Sequence, residues 1–138
     1  MAFDFSTLIT GRTLADVQQG TDKGFYNASD LNRVGAAVKY IAERFTVYGY
    51  AVEVSPKTDW SESDTPTMGQ METYRLNIAN LRAVIAVMAS TPETPETMRA
   101  LDYVKANDIE RILQDLDTLI TNMEQAWFFS GDLYAGET

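Results

Sequence analysis

Carboxylates, lysines, tyrosines and hydroxyls are the only side chains in this sequence suited to proton transfer, nucleophilic attack or metal binding, because it has neither histidine nor cysteine. That absence removes Ser/His/Asp and Cys/His catalysis, zinc ligation through nitrogen or sulfur, disulfides and haem attachment together. Glu110, Asp115, Asp117 and Glu124 lie on one predicted helix. A carboxylate di-iron site also draws on Glu-x-x-His pairs, so these four are expected on a solvated helix face. Asp59, Glu62 and Asp64 share a loop and offer oxygen ligands for calcium, without the alternating ligands, central glycine and terminal glutamate of an EF-hand. No metal and no cofactor are assigned, and a calcium-binding loop stays open as an alternative. Trp60 in the same acidic loop is either a plate for a sugar ring or, as favoured here, a large ring closing the end of a helical bundle. Gly11-Arg12-Thr13 and Gly35 lack the strand, glycine-rich turn and helix of a phosphate cradle. A paired-carboxylate hydrolase needs two acids facing across a cleft, for which a small bundle offers little concavity, so no enzymatic activity is expected.

These side chains must be carried by one domain of 138 residues, 45% apolar and 22% charged, which is the balance of a chain that buries a core. Eleven basic against twenty acidic residues give a net charge of -9, which disfavours nucleic acid and anionic lipid surfaces as partners. The first residues carry an acid where a signal peptide is basic, and no apolar run approaches the ~20 residues of a membrane span. Synthesis in the cytoplasm is the expectation.

Leu31, Val34, Val38, Ile41, Phe45 and Tyr48 step by three and four residues and predict a helix over 29–48, with Asn27 or Ser29 as its N-cap and Gly49 at its end. Asn27-Ala28-Ser29 also matches a glycosylation sequon, but without an export signal capping is preferred. A second stripe, Met71, Tyr74, Ile78, Leu81, Ile85 and Met88, predicts a helix over 66–89 that begins at Pro66 and stops before the proline pair Pro92 and Pro95. A third, Ile109, Leu113, Leu116, Ile120, Met123 and Trp127, predicts a helix over 102–128.

Three stripes of this period predict an all-α fold, a three-helix up-down-up bundle with short extended N- and C-terminal arms. Residues 1–24 form the N-terminal arm and lead-in, 25–128 the bundle and 129–138 the C-terminal arm. Thr13 caps a single turn within the lead-in, which is expected on the surface. Tyr50, Val52 and Val54 alternate with polar residues, as Phe3 and Phe5 do around Asp4, so both segments are also readable as short strands. Phe3, Phe5, Phe128, Phe129, Leu133 and Tyr134 lie outside the stripes and, with Trp60, are the candidate interaction residues. Either the two ends form an assembly surface, or they fold back as a small sheet that seals the bundle.

Asp30-Leu31-Asn32-Arg33-Val34 and Ala106-Asn107-Asp108-Ile109-Glu110 align Asn32 with Asn107 and Val34 with Ile109. Each Asn sits early in its helix, where its amide either caps locally or bonds an adjoining loop. With Tyr26 to Gly35, Lys57-Thr58-Asp59-Trp60 before Thr65-Pro66-Thr67, and Ala126 to Tyr134, these blocks resemble small helical structural proteins from the tail gene clusters of phages and prophages of Gram-positive bacteria. That family is similar in repeating Asp-x-Asn-Arg-(Ile/Val)-Glu at the start of helices and in a Trp-containing loop between them. The sequence departs from it at Gly35, where the acid is usual, and in a short stretch from Gly11 to Gly24. The resemblance implies a virion or tail-associated structural protein with no catalytic residue, whose partners are itself, as a homo-oligomer, and other phage structural proteins. It also implies incorporation into the virion, in the tail or baseplate. A helical adaptor or a saccharide-binding module using the Trp60 loop is the alternative.

Overall fold

The computed structural model describes residues 3–20, 27–99 and 101–137, with side chains described as far as residue 126. All its elements are helical: a 3-10 turn at Phe5–Thr7, a short α1 at Leu14–Gln19, then α2 at Ala28–Val47, α3 at Met68–Arg82 and α4 at Tyr103–Glu137. No strand occurs among the described residues, so neither Phe3 and Phe5 nor Tyr50 to Val54 form one. None of the described helices is long and apolar enough to cross a membrane.

The helix starts follow local chemistry. Asn27 caps α2 in a capping box with Asp30, its Oδ1 accepting from the Ser29 and Asp30 amides. Thr13 and Asp16 make the same box for α1, and Thr67 and Gln70 for α3, which starts at Met68, two residues beyond the expected Pro66. The helix ends differ more. α3 stops at Arg82, seven residues before the expected 89, where the β-branched Val84 and Ile85 begin an irregular run that packs on the core instead. α4 continues through the segment expected as an extended C-terminal arm and ends at Glu137.

The three stripes pack together. Leu31, Val34, Val38, Ile41 and Phe45 of α2, Tyr74, Ile78 and Leu81 of α3, and Ile109, Leu113, Leu116 and Ile120 of α4 form one buried cluster, joined by Trp60. Burying such side chains contributes about 1.5–3 kcal/mol each.

The up-down-up order is not what joins them. Arg33 near the start of α2 bonds Glu110 near the start of α4, and Arg44 near its end bonds Asp117 and Glu124 further along, so α2 and α4 run in the same direction. Between α2 and α3 the chain runs backwards along both helices. Tyr50 stacks edge-on against Phe45 at 5.7 Å and Trp60 bonds Asn32, while Glu53 meets Asn80 and Ser55 meets Asn77. α3 is therefore parallel to α2. After α3 the chain returns again, Pro92 bonding Arg82 and Pro95 bonding Arg75, before α4 sets off in the common direction. The long connections allow reversal, as expected, but each is spent on a complete return, so that the next helix starts where the last one started.

Each return lies in a groove between two helices. Residues 50–60 lie against α2 and α3, residues 91–95 against α3 and α4, and residues 3–12 run backwards beside α2 and α4. Phe5 meets Tyr40 of α2 at 5.9 Å and Arg12 reaches Asp30, ten residues earlier on that helix.

Candidate functional site

A return segment beside helices has no neighbouring strand, so its backbone groups need side-chain partners. Asparagine amides supply them, because one amide carries a donor and an acceptor at peptide-like spacing. Asn32 Oδ1 accepts from the Trp60 amide at 2.7 Å and its Nδ2 donates to the Trp60 carbonyl at 2.9 Å. Asn107 does the same to Arg12 at 3.0 and 2.9 Å, and Asn77 to Ser55 at 2.9 and 3.2 Å. The aligned asparagines are thus clamps on distant segments, not local caps. Asn77 was not apparent from the repeat, because the charged neighbours that mark the other two are replaced by Leu76 and Ile78.

One turn after each clamp, the third residue onward faces the same return. At that place in α4, Glu110 is fully buried and its Oε1 accepts from the Ile9 amide at 3.0 Å. At that place in α2 stands Gly35, where a Cβ would overlap the Lys57 carbonyl oxygen. Gly35 therefore admits the return against the helix, and the equivalent place in the second repeat carries the acid Glu110.

Glu110 is the centre of a four-membered ion cluster. Its Oε2 meets Arg12 at 2.5 Å, while Arg33 reaches Oε1 at 2.7 Å and Oε2 at 3.0 Å. Asp30 bonds Arg33 at 2.5 Å and Arg12 at 3.4 Å. Burial alone would lower the pKa of Arg33, but bonds and charges from Glu110 and Asp30 outweigh it and hold that guanidinium above its ordinary value. Arg12 also donates to the Ile9 carbonyl at 2.8 Å, so the lead-in is fastened through a buried arginine. Arg12 is the one buried residue among those described in the lead-in; the rest, α1 included, are exposed or partly exposed, as expected for a surface segment.

The carboxylates of the third stripe's helix do not form a solvated face. Asp115 is buried, accepting from Thr91 at 2.8 Å and pairing with Arg111 at 3.0 Å. Asp117 and Glu124 take Arg44 at 2.5 and 3.0 Å, and Arg44 lies 5.6 Å over the Tyr40 ring. At Glu124 burial pushes the pKa up, but bonds from Tyr48 and Arg44 prevail and hold it below the usual carboxylate value. Apolar periodicity carries no sign of these roles, because Arg12 comes from a loop and Arg33 and Arg44 from α2, and they meet their acids only through the fold.

In the Trp60 loop, Asp59 pairs with Lys57 at 2.7 Å and Asp64 accepts from the Ser61 amide at 2.8 Å. The Lys57 bond and charge hold the Asp59 carboxyl below its ordinary value. Among the described residues no three acids converge as a metal-binding group. Trp60 is 7% exposed, its ring in the core and covered by the Lys57 ammonium at 5.0 Å, so it presents no open plate to a sugar. Its indole N–H is buried without an acceptor among the described residues. A cleft of about 420 Å³ beside it is lined by Ser55, Lys57, Thr67, Gln70, Tyr74 and Asn77.

The candidate interaction residues are not brought to one surface by any described contact. Phe3 and Phe5 meet edge to face at 5.0 Å and are half-buried against the core. Phe128, Phe129, Leu133 and Tyr134 lie on α4, and their side chains are outside the described residues. Comparison with family models, with curated proteins and with solved structures finds no match to the chain.

Proposed function

We propose that this protein is a non-catalytic structural component of a phage virion, associated with the tail and acting by protein–protein assembly with itself and with other particle proteins. One observation supports this above the rest. The residues that carry the family resemblance, Asp30, Asn32, Arg33, Asn107 and Glu110, all bind other parts of the same chain. Motif residues of an enzyme converge on a space where a substrate fits, whereas these spend their donors and acceptors on holding return segments to helices. A scaffold so fastened suits a part whose task is to keep its shape among neighbours.

Mass spectrometry of purified particles from the source phage or induced prophage tests the proposal. The chain is expected among the stoichiometric particle proteins. Its absence from particles would reject the virion reading in favour of an assembly chaperone or host adaptor.

A further inference from the structure

The cleft beside Trp60 lies between the return of residues 50–60 and the first turns of α3. Its lining combines the buried Trp60, Tyr74 and Asn77 with the exposed Lys57, Thr67 and Gln70. Its amide acceptors are spent. Asn77 gives both ends of its amide to Ser55, and Gln70 Oε1 accepts from the Thr67 backbone N–H at 2.9 Å. The hydroxyls of Ser55, Thr67 and Thr73 can serve as donor or acceptor.

The donors are not spent. Trp60 is 7% exposed, and its indole N–H is buried with no acceptor among the described residues. The NH2 of Gln70, opposite its engaged oxygen, and the Gly69 backbone N–H in the first turn of α3 likewise bond no described group. At Gly69 a side chain would enter open space, a Cβ having only the Thr67 hydroxyl within 4 Å, at 3.9 Å. In a chain with twenty acids, none is among the described residues that line this cleft, and its one charged group is the Lys57 ammonium. That ammonium pairs with Asp59, which is 82% exposed, so water can take over Asp59 when Lys57 turns to another anion.

We propose that this cleft binds a small carboxylate, whose oxygens take the Trp60, Gln70 and Gly69 donors and the Lys57 charge while its carbon skeleton lies against Trp60 and Tyr74. The site is separate from any role in a particle. A buried donor without a partner is costly, so an acceptor brought to the indole N–H gains more than one placed at the surface. A carboxylate brings acceptors alone, whereas a sugar brings a donor with every hydroxyl and seeks an open ring face that Trp60 does not present. The start of α3 favours negative charge as well. A volume of about 420 Å³ admits a small organic acid or the last few residues of a peptide, so the carboxylate belongs to a free acid or to a chain terminus.

The chain has two tryptophans, so its proton–nitrogen correlation spectrum carries two indole signals, and Trp127→Phe identifies that of Trp60. Benzoate and the peptide acetyl-Ala-Ala-Ala with a free carboxylate are titrated into the full chain, each beside its uncharged amide. The Trp60 signal is expected to move downfield and to saturate with the carboxylates, and to stay in place with the amides. Tighter binding of the peptide would assign a chain terminus and tighter binding of benzoate a free acid, and either supports the site. Gln70→Glu keeps the capping box, which either side chain closes, but sets a negative charge in the cleft. It is expected to weaken binding roughly tenfold or more at an unchanged melting temperature. Lys57→Gln, which alters only an exposed pair, is expected to weaken it as well. No saturable shift with either carboxylate, equal shifts with the amides, or full binding by both variants would each overturn the proposal.

Discussion

α2 and α4 are joined by charge twice, on different terms. Near their starts, Arg12, Asp30, Arg33 and Glu110 form a cluster in which the Glu110 and Arg12 side chains are 0% and 1% exposed. Near their ends, Arg44 holds Asp117 and Glu124, which are 27% and 36% exposed. In the first junction both acids, Glu110 and Asp30, and the Arg12 guanidinium have lost their water, at 0%, 6% and 1% exposure, and only Arg33 keeps some, at 14%, so each buried charge is stabilised only while its partners remain. In the second, water can replace a lost partner at little cost. The inner cluster therefore specifies the arrangement of three separate parts of the chain, whereas the outer one trims the contact of two helices already packed by their apolar stripes.

The sharpest way to break this comparison is Glu110→Ala, which leaves the buried Arg12 and the partly buried Arg33 guanidinium groups to share Asp30 as their one remaining acid in the cluster and frees the Ile9 amide. It is expected to cost about 3–5 kcal/mol, read as a fall in the urea midpoint. If Arg44→Met costs as much, the two junctions are not different in kind. Replacing Arg12, Asp30, Arg33 and Glu110 together by apolar residues of similar volume is expected to cost far less than Glu110→Ala alone, because no buried charge is left over.

The clamps sharpen the same contrast at smaller scale. Asn107→Leu removes the amide bonds to both backbone groups of the buried Arg12 and is expected to cost about 1–3 kcal/mol. Asn77→Leu frees the exposed Ser55, where water substitutes, so its cost is expected to be smaller. Equal midpoint shifts in the two variants would show that burial of the gripped residue does not set the clamp's worth.

The smallest effect belongs to the outer junction. Arg44→Met is expected to cost about 1 kcal/mol or less at neutral pH. Glu124 has a folded pKa held below its ordinary 4.5, so its contribution is present above that value and is lost as pH falls through the folded one. The gap between wild type and Arg44→Met should accordingly narrow on acidification below about 4.5, and a gap that widened there would reverse the assignment. Higher salt should narrow it as well.

Which parts of this arrangement were legible beforehand follows from the range of the forces involved. Helix starts depend on residues within one turn, and Asn27, Thr13 and the stripes from Leu31 to Phe45 announce α2 and α1 directly. Helix direction depends on where a connection goes, and nothing in residues 49–64 distinguishes a reversal from a full return. The clamp asparagines were visible as a repeat, but their targets lie 28 and 95 residues away. Glu110 looked like one more acid on a solvated face because its arginines come from two other segments. Trp60 was legible as a closing ring, since its size and amphipathic character suit a core edge.

The clasp between residues 9–12 and α4 also sets a timetable. Ile9 waits for Glu110 and Arg12 for Asn107, separations of 101 and 95 residues. At a synthesis rate of about 5–20 residues per second, the first segment made has no docking partner for roughly 5–20 seconds. Until α4 leaves the ribosome, α2 and α3 can meet through their own stripes, while Arg12 and Arg33 remain hydrated and the groove beside α2 stands open. Completion of the fold is thus deferred to the last helix, and the long reach of that contact favours slow, late locking over early local order.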